Sequence, residues 1–138
     1  MRAMRIYFAG SIRGGRDDRD IYNQIIKYLK QFGEVVTEHI GCDSLQEGGE
    51  PDLDDREIHD RDMNWLLSSD MVVAEVSNPS LGVGYEIGRA IENDIRVICL
   101  FNSGSNKNLS AMINGTEKIN VINYISFEDL KMKLDLIF

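Results

Sequence analysis

The sequence has few of the residues that mark metal-centred or disulfide-stabilised proteins. It contains only two cysteines and two histidines among 138 residues. Cys42 and Cys99 lack the spacing of a metal site, and two cysteines do not make a disulfide framework. No second and third ligands fall at usable spacing from His39 or His59. The sequence therefore predicts no metal, and Cys99, inside an apolar strand pattern, is expected in the core.

Long apolar runs and a surplus of positive charge are missing too. No stretch of 18 or more apolar residues occurs, which argues against a membrane-spanning helix. The apolar run near the N-terminus is too short for a signal peptide, so we expect a cytoplasmic protein. The net charge is −8, and no basic stripe offsets it. A nucleic-acid polymer is thus an unfavourable partner, whereas a small anion needs only a local site.

What the sequence does contain is an alternation of strand and helix patterns. Apolar runs without polar alternation indicate strands buried on both faces, as in parallel sheets. Five strands alternate with helices, and no repeat or second domain is visible within residues 1–138. This predicts a doubly wound α/β fold, a five-stranded parallel sheet with helices on both faces. The predicted strands are Arg5–Ala9, Glu34–Glu38, Met71–Val76, Arg96–Phe101 and Asn120–Ile125.

The helices are predicted from apolar residues that recur every three or four positions. Asp17 or Asp18 is expected to cap the first helix, whose apolar face runs from Ile21 to Phe32, and Gly33 to end it as a C′ glycine. A long loop is expected from His39 to about Leu53. The other predicted helices are Asp55–Ser69, Gly84–Asn93, a short Leu109–Asn114 and Phe127–Phe138.

In such sheets, ligands bind beyond the carboxyl ends of the strands. The stretch Asp70–Ile91 supplies a buried strand, a turn with glycines and a helix from about Gly84, whose N-terminus favours anions. Glu86 is expected in the first turn of that helix, with an ionised carboxylate. Acidic residues are favoured in any first helical turn, so Glu86 alone does not indicate function.

Two further charged residues are candidates. Asp62 falls on the apolar stripe of its predicted helix, where a carboxylate needs either partners or a purpose; pairing with a local arginine is the alternative. Arg13, among glycines after the first strand, suits a phosphate, although a surface arginine is the alternative. The glycines at 82, 84 and 88 do not form a dinucleotide fingerprint, and neither a P-loop nor a Ser-His-Asp arrangement is visible.

Several motifs together resemble one family. They are Y-F-A-G-S-I-R-G-G-R at Tyr7–Arg16, T-E-H at Thr37–His39, D-M-N-W-L at Asp62–Leu66, V-V-A-E-V-S-N-P-S-L-G-V-G-Y-E-I-G-R-A at Val72–Ala90 and L-S-A-M-I at Leu109–Ile113. The chain closely resembles the 2′-deoxynucleoside 5′-phosphate N-hydrolases of the nucleoside 2-deoxyribosyltransferase superfamily. The resemblance spans nearly the whole chain and is weakest between Gly41 and Asp54.

The resemblance implies a flavodoxin-like fold, no cofactor, and cleavage of the N-glycosidic bond of deoxynucleoside monophosphates. Glu86 would attack C1′ and form a covalent ester, which water then hydrolyses with overall retention. Asp62 would transfer a proton or hydrogen-bond the substrate, and Tyr7 would orient Glu86.

The resemblance also implies a phosphate site and a homodimer. Ser110 would reach the phosphate in the neighbouring subunit's site. His39 is a candidate for the base side, with a surface position as the alternative. The residues that would bind the 5′-phosphate within one subunit are Ser11, Ile12, Arg13, Gly14, Gly15, Ser80 and Gly82.

One position separates hydrolases from transferases in this resemblance. Transferases that act on free nucleosides have an Asp six residues before the nucleophile, where this chain has Ser80. A neutral hydroxyl at that position is compatible with a bound phosphate, whereas the negative charge of an Asp would repel it. Monophosphates are therefore favoured as substrates, with base exchange by a transferase as the runner-up and a non-catalytic nucleotide-binding regulator as the third alternative.

Overall fold

A parallel sheet with helices against both faces organises the chain. The computed structural model describes residues 3–11, 16–37 and 53–138. Its strands are β1 (Arg5–Ala9), β2 (Glu34–Val36), β3 (Met71–Glu75), β4 (Arg96–Asn102) and β5 (Ile119–Tyr124). Its helices are α1 (Arg16–Leu29), α2 (Asp55–Leu67), α3 (Leu81–Glu92), α4 (Ala111–Asn114) and α5 (Phe127–Asp135).

The strand order confirms the predicted fold class. Within the described ranges the sheet has five strands, all parallel, in the order β2-β1-β3-β4-β5. This is the flavodoxin-like order, in which the crevice between the ends of β1 and β3 is the usual place for a ligand. No helix in the described part of the chain is long and apolar enough to cross a membrane.

Alternate side chains of the strands build two cores, one on each face of the sheet. On one face, α1 and α5 cover a cluster that includes Phe8 and Leu100. On the other, α2 and α3 cover a cluster that includes Tyr7, Val72 and Cys99. The predicted apolar side of the first helix is thus confirmed, and Cys99 is a core residue. The strands have a buried surface on both sides, as their unbroken apolar runs indicated.

The predicted start of α3 was wrong by one turn. The helix begins at Leu81, and Ser80 is its N-cap, with the hydroxyl oxygen accepting a hydrogen bond from the Val83 N–H at 3.3 Å. Gly82, which was assigned to the turn, therefore lies inside the helix, as Gly84 does. Serine is among the best capping residues, and this capping outweighs the low helix propensity of two glycines.

The ends of α1 also differ from the prediction. The helix starts at Arg16, so Asp17 and Asp18 lie within it rather than before it, and it ends at Leu29 instead of continuing to Gly33. Gly33 follows a turn, and a Cβ there would lie 2.3 Å from the Met4 carbonyl oxygen. The glycine is required by this close approach and not by a helix C-terminus.

Other differences are confined to the ends of elements, where boundaries are least certain from sequence. α2 and α5 end earlier than predicted, at Leu67 and Asp135, and α4 begins later, at Ala111. β4 continues to Asn102, and β5 runs one residue earlier at both ends. β2 ends at Val36 and β3 at Glu75, so Thr37 and Val76 lie outside the strands that were predicted to include them. Glu38 and nearly all of the predicted long loop lie outside the described residues.

Candidate active site

A cavity of about 530 Å³ opens at the carboxyl edge of the sheet. Its walls come from Gly10 and Ser11 after β1, from one side of α2, and from the segment between Pro79 and Glu86. The volume is in the range of small-molecule binding sites. The cavity therefore lies in the crevice that the strand order predicts.

Glu86 lies in the wall of this cavity, and Tyr7 contacts it from behind that wall. Glu86 shares the buried side of α3 with Val83 and Ala90, at spacings of three and four residues. Tyr7, in β1, is fully buried and its hydroxyl donates a hydrogen bond to Glu86 Oε2. The bond joins residues 79 positions apart in the chain. It orients the carboxyl group toward the cavity that Glu86 lines.

The protonation of Glu86 differs from the sequence prediction. It is the sixth residue of α3, beyond the first turn, and only 6% of it is exposed. Burial raises its pKa to about 7, the Tyr7 hydrogen bond opposes the rise, and the negative charge of Asp62 adds to it. The sequence predicted an ionised carboxylate, whereas a pKa of about 7 leaves it ionised only in part at neutral pH, because desolvation disfavours the charged form.

Asp62 is buried on α2 and lines the same cavity. The pairing with a local arginine, one of the two expectations for this residue, is observed. Its carboxylate accepts a hydrogen bond from Arg61 Nε at 3.1 Å and lies 3.0 Å from Arg61 Nη2, which is the local arginine pairing. The negative charge of Asp62 also raises the pKa of Glu86, so the ionisation of Glu86 depends on Asp62. Arg61 in turn stacks over the Trp65 ring, which supports its position.

Three of the predicted phosphate residues lie around this cavity. Ser80 and Gly82 are at the N-terminus of α3, where the first N–H groups of the helix have no partner within it. Ser11 is buried after β1, and its backbone N–H donates to the Tyr22 hydroxyl at 3.2 Å. That N–H points into the protein, so Ser11 has its side-chain hydroxyl to offer a ligand.

Ser110 does not line the cavity that contains Glu86. It caps α4 and lines a second cavity of about 390 Å³, between α4 and α3. The two cavities share four lining residues, Pro79, Ser80, Leu81 and Val83. Ile12, Arg13, Gly14, Gly15 and His39 lie outside the described residues.

The sequence interpretation missed the far side of the cavity. Ile58 and Met63 contribute apolar surface there. His59 Nε2 lies 2.8 Å from the Tyr85 hydroxyl, which accepts a hydrogen bond from Arg89 Nη1 at 2.7 Å. His59 lies three residues before Asp62, so helical spacing from that carboxylate could have indicated it. Tyr85 is next to Glu86 in the chain and is not on its face of the helix, so spacing gave no signal for it. Among the described residues, no group of three or more His, Cys, Asp or Glu side chains is arranged to hold a metal ion.

Comparisons with known proteins agree with the motifs. The profile of the family described as nucleoside 2-deoxyribosyltransferase matches residues 6–135. A Trichoplax adhaerens protein named putative 2′-deoxynucleoside 5′-phosphate N-hydrolase 1 is 55% identical over 90% of this chain and 83% of its own length. A Danio rerio protein named 5-hydroxymethyl-dUMP N-hydrolase is 58% identical over 81% of this chain and 78% of its own.

The fold is similar to that of solved structures as well. The structure of a CMP N-glycosidase from Clostridium botulinum superposes on this one with a TM-score of 0.71. The superposition covers 97% of this chain and 99% of the glycosidase chain. Its sequence is only 20% identical, so this likeness concerns the fold alone. The sequence matches carry the family assignment. The chain belongs to the nucleoside 2-deoxyribosyltransferase family of enzymes, as its motifs predicted.

Proposed function

We propose that the protein hydrolyses the N-glycosidic bond of 2′-deoxynucleoside 5′-monophosphates through a covalent intermediate on Glu86. The observation that carries the proposal is the buried Glu86 carboxyl group, held by Tyr7 in a cavity that Asp62 also lines. The names of the related N-hydrolases support the same reaction class. No cofactor is required for the steps that follow.

The chemistry divides into two displacements at C1′ of the deoxyribose. In the first, a carboxylate oxygen of Glu86 bonds to C1′, the C1′–N bond breaks, and its electron pair leaves with the base, which takes up a proton. In the second, water attacks C1′ and gives up a proton, which balances the one that the base took up; the ester bond breaks, and deoxyribose 5-phosphate and the Glu86 carboxylate are released. Two inversions give overall retention. Glu86 must be ionised for the first step, and a pKa of about 7 leaves part of it ionised at neutral pH.

Asp62 and Tyr7 have supporting roles in this proposal. Asp62 either transfers a proton to the leaving base or hydrogen-bonds the substrate, consistent with its place in the same cavity wall. Tyr7 holds the Glu86 carboxyl group in one orientation by its hydroxyl. A fixed orientation keeps the attacking oxygen close to the line of the breaking bond.

The 5′-phosphate would bind at the N-terminus of α3. The Ser80 hydroxyl accepts from Val83 N–H and still has its own proton to donate, and the helix dipole favours an anion there. The hydroxyl of Ser11 would donate from the opposite side. The family resemblance adds Ile12, Arg13, Gly14 and Gly15 to this site and His39 to the base side.

The sugar preference has a chemical basis. A 2′-hydroxyl withdraws electrons and destabilises the oxocarbenium-like transition state, and it would crowd Glu86. The neutral Ser80, in place of the transferases' Asp, favours monophosphates over free nucleosides. A cytoplasmic location stays a prediction from the sequence.

A homodimer is part of the proposal. Ser110 lies in the second cavity rather than beside Glu86, as a residue serving a neighbouring subunit would. Leu81 and Met112 in its wall are 97% and 83% exposed, which leaves an apolar surface for a second copy to cover.

The Met112→Glu substitution is expected to convert the dimer into monomers, because it places a charge in the apolar interface. Light scattering coupled to size-exclusion chromatography measures the change. Met132, 70% exposed on α5, provides the matched control Met132→Glu, which should leave the dimer intact. Dimers that persist in Met112→Glu would argue against this interface.

The Gly82→Ala substitution is expected to raise KM for a deoxynucleoside monophosphate about tenfold or more, since a methyl group would occupy space meant for the phosphate. The fold should tolerate it, because the added Cβ would meet only Ser80 Oγ, at 3.9 Å. Gly88→Ala on the same helix, with open space around the Cβ, is the control that should leave KM unchanged. An unchanged KM in Gly82→Ala would place the phosphate elsewhere.

The direct test is to incubate the protein separately with dGMP, GMP, deoxyguanosine, dCMP and 5-hydroxymethyl-dUMP. Chromatography then measures the free base released from each. We expect release from the deoxy monophosphates and none from GMP. Activity on deoxyguanosine only when a second base is added would indicate the transferase. Binding without release from any substrate would leave the nucleotide-binding regulator.

A further inference from the structure

A third buried carboxyl group lies at the carboxyl edge of the sheet, on the face opposite Glu86 and Asp62. Glu75 is the last residue of β3 and is 2% exposed. It accepts hydrogen bonds from the Tyr124 hydroxyl at the end of β5, and from the backbone N–H and the hydroxyl of Ser77, both at 2.8 Å. Burial raises its pKa, and the bonds from Tyr124 and Ser77 oppose that rise. Three donors thus hold a group that is costly to bury.

The bonds of Glu75 connect the ends of three strands. The Ser77 hydroxyl, which donates to Glu75, also accepts a hydrogen bond from the Asn102 N–H at 2.8 Å, at the end of β4. Val76 N–H donates to the Leu100 carbonyl at 2.9 Å. Glu75 therefore ties the segment that leaves β3 to β5 directly and to β4 through Ser77.

The segment that Glu75 anchors is the one that carries the proposed phosphate site. Only Asn78 and Pro79 separate Ser77 from Ser80, the N-cap of α3. Asn78 is held as well, since its amide donates to Asp18 on α1 and accepts from Lys107. A shift of Ser77 would be passed directly to Ser80 and to the N-terminus of α3.

Tyr22 supports the other phosphate segment from the same side of the sheet. Its hydroxyl accepts the Ser11 N–H, and a Cβ on Gly10 would come within 3.0 Å of its ring. Burial, and then the charge of Glu75, raise the Tyr22 pKa, so the two groups are electrostatic neighbours. The back of the sheet thus positions both sides of the proposed phosphate site.

We propose that Glu75 is a positioning residue for phosphate binding. Through Ser77 it holds Ser80 and the N-terminus of α3 in place, whereas the reacting group Glu86 is held separately by Tyr7 on the other face. The inference rests on the proposed function. Phosphate affinity should depend on Glu75, while the rate of the chemical step should not.

The test uses Glu75→Gln, Ser77→Ala and Tyr124→Phe, each of which keeps the size of the side chain or shortens it by one oxygen. We would measure kcat and KM for a deoxynucleoside monophosphate, the dissociation constant of deoxyribose 5-phosphate by calorimetry, and the melting temperature. Tyr28→Phe is the matched control, because the Tyr28 hydroxyl donates to Asp135 and joins α1 to α5 on the same face of the sheet.

We expect KM and the dissociation constant of deoxyribose 5-phosphate to rise about tenfold in at least two of the three variants, with kcat changed less than about threefold. Tyr28→Phe should change none of these. A lower melting temperature with unchanged affinity would show a merely structural role and overturn the proposal. A fall in kcat with unchanged KM would overturn it as well.

The dissociation constant separates this inference from the proposed function. If the wild type binds deoxyribose 5-phosphate and the variants bind it more weakly, the positioning role of Glu75 holds even when no substrate is cleaved. If the wild type does not bind deoxyribose 5-phosphate, the positioning role fails together with the phosphate site.

Discussion

Replacing Glu86 with glutamine is expected to abolish base release and to stabilise the folded protein at neutral and higher pH. The amide cannot form the ester with C1′, so the rate should fall by at least about 10⁴-fold. Glutamine keeps the size of the side chain, and its oxygen can still accept the Tyr7 hydrogen bond. Loss of activity would therefore not reflect misfolding.

The stability change follows from the raised pKa of Glu86. Its usual value of 4.5 applies to the unfolded chain, and its value in the folded protein is about 7. Below pH 4.5 both states are protonated; between 4.5 and 7 the unfolded chain ionises first, so stability is lost as pH rises. Above pH 7 the loss is complete, at up to about 3 kcal/mol. The Gln variant has no such loss, so its free energy of unfolding should exceed that of the wild type there.

Chemical unfolding at pH 5 and pH 8, together with chromatography of the released base, measures both effects. Glu92→Gln provides the control, since Glu92 is exposed on the same helix and should alter neither stability nor base release. Substantial base release by Glu86→Gln would exclude a nucleophilic role. If the difference in the free energy of unfolding between the wild type and the variant were the same at pH 5 and pH 8, it would contradict the raised pKa of Glu86.

Replacing Asp62 with asparagine is expected to lower kcat by about 10²- to 10⁴-fold, the range that general acid catalysis supplies. The substitution also removes a negative charge that raises the Glu86 pKa. The rise of activity with pH, which reports ionisation of Glu86, should therefore shift to lower pH. A lower kcat together with a pH profile shifted to lower pH distinguishes Asp62 from a residue that only maintains the fold.

Profiles of kcat and kcat/KM against pH, measured for bases of different leaving ability, test this prediction. Asp60→Asn is the matched control, because Asp60 is exposed on the same helix and bonds to His59. A loss of kcat that is larger for poorer leaving groups would assign proton transfer to Asp62. A higher KM with unchanged kcat would assign it substrate hydrogen bonding alone, and unchanged kinetics would exclude both roles.

Much of the fold followed from local patterns. The apolar runs predicted the strands, because a strand covered on both faces has no polar side to display. Asp62 was correctly placed on the buried side of α2, since helical spacing alone determines which residues share a face. The start of α3 was missed because the glycines suggested a turn, while the capping hydroxyl of Ser80 favoured a helix.

The residues needed for the proposed chemistry are readable in the chain, but their contacts arise from folding. Motifs and spacing identified the family, the parallel sheet and the carboxylates Glu86 and Asp62. The bond from Tyr7 to Glu86, the pKa of Glu86 and the network around Glu75 depend on distant segments meeting in a water-poor interior. Local spacing specifies which face a side chain occupies, whereas desolvation and partners across the sheet set its charge and orientation.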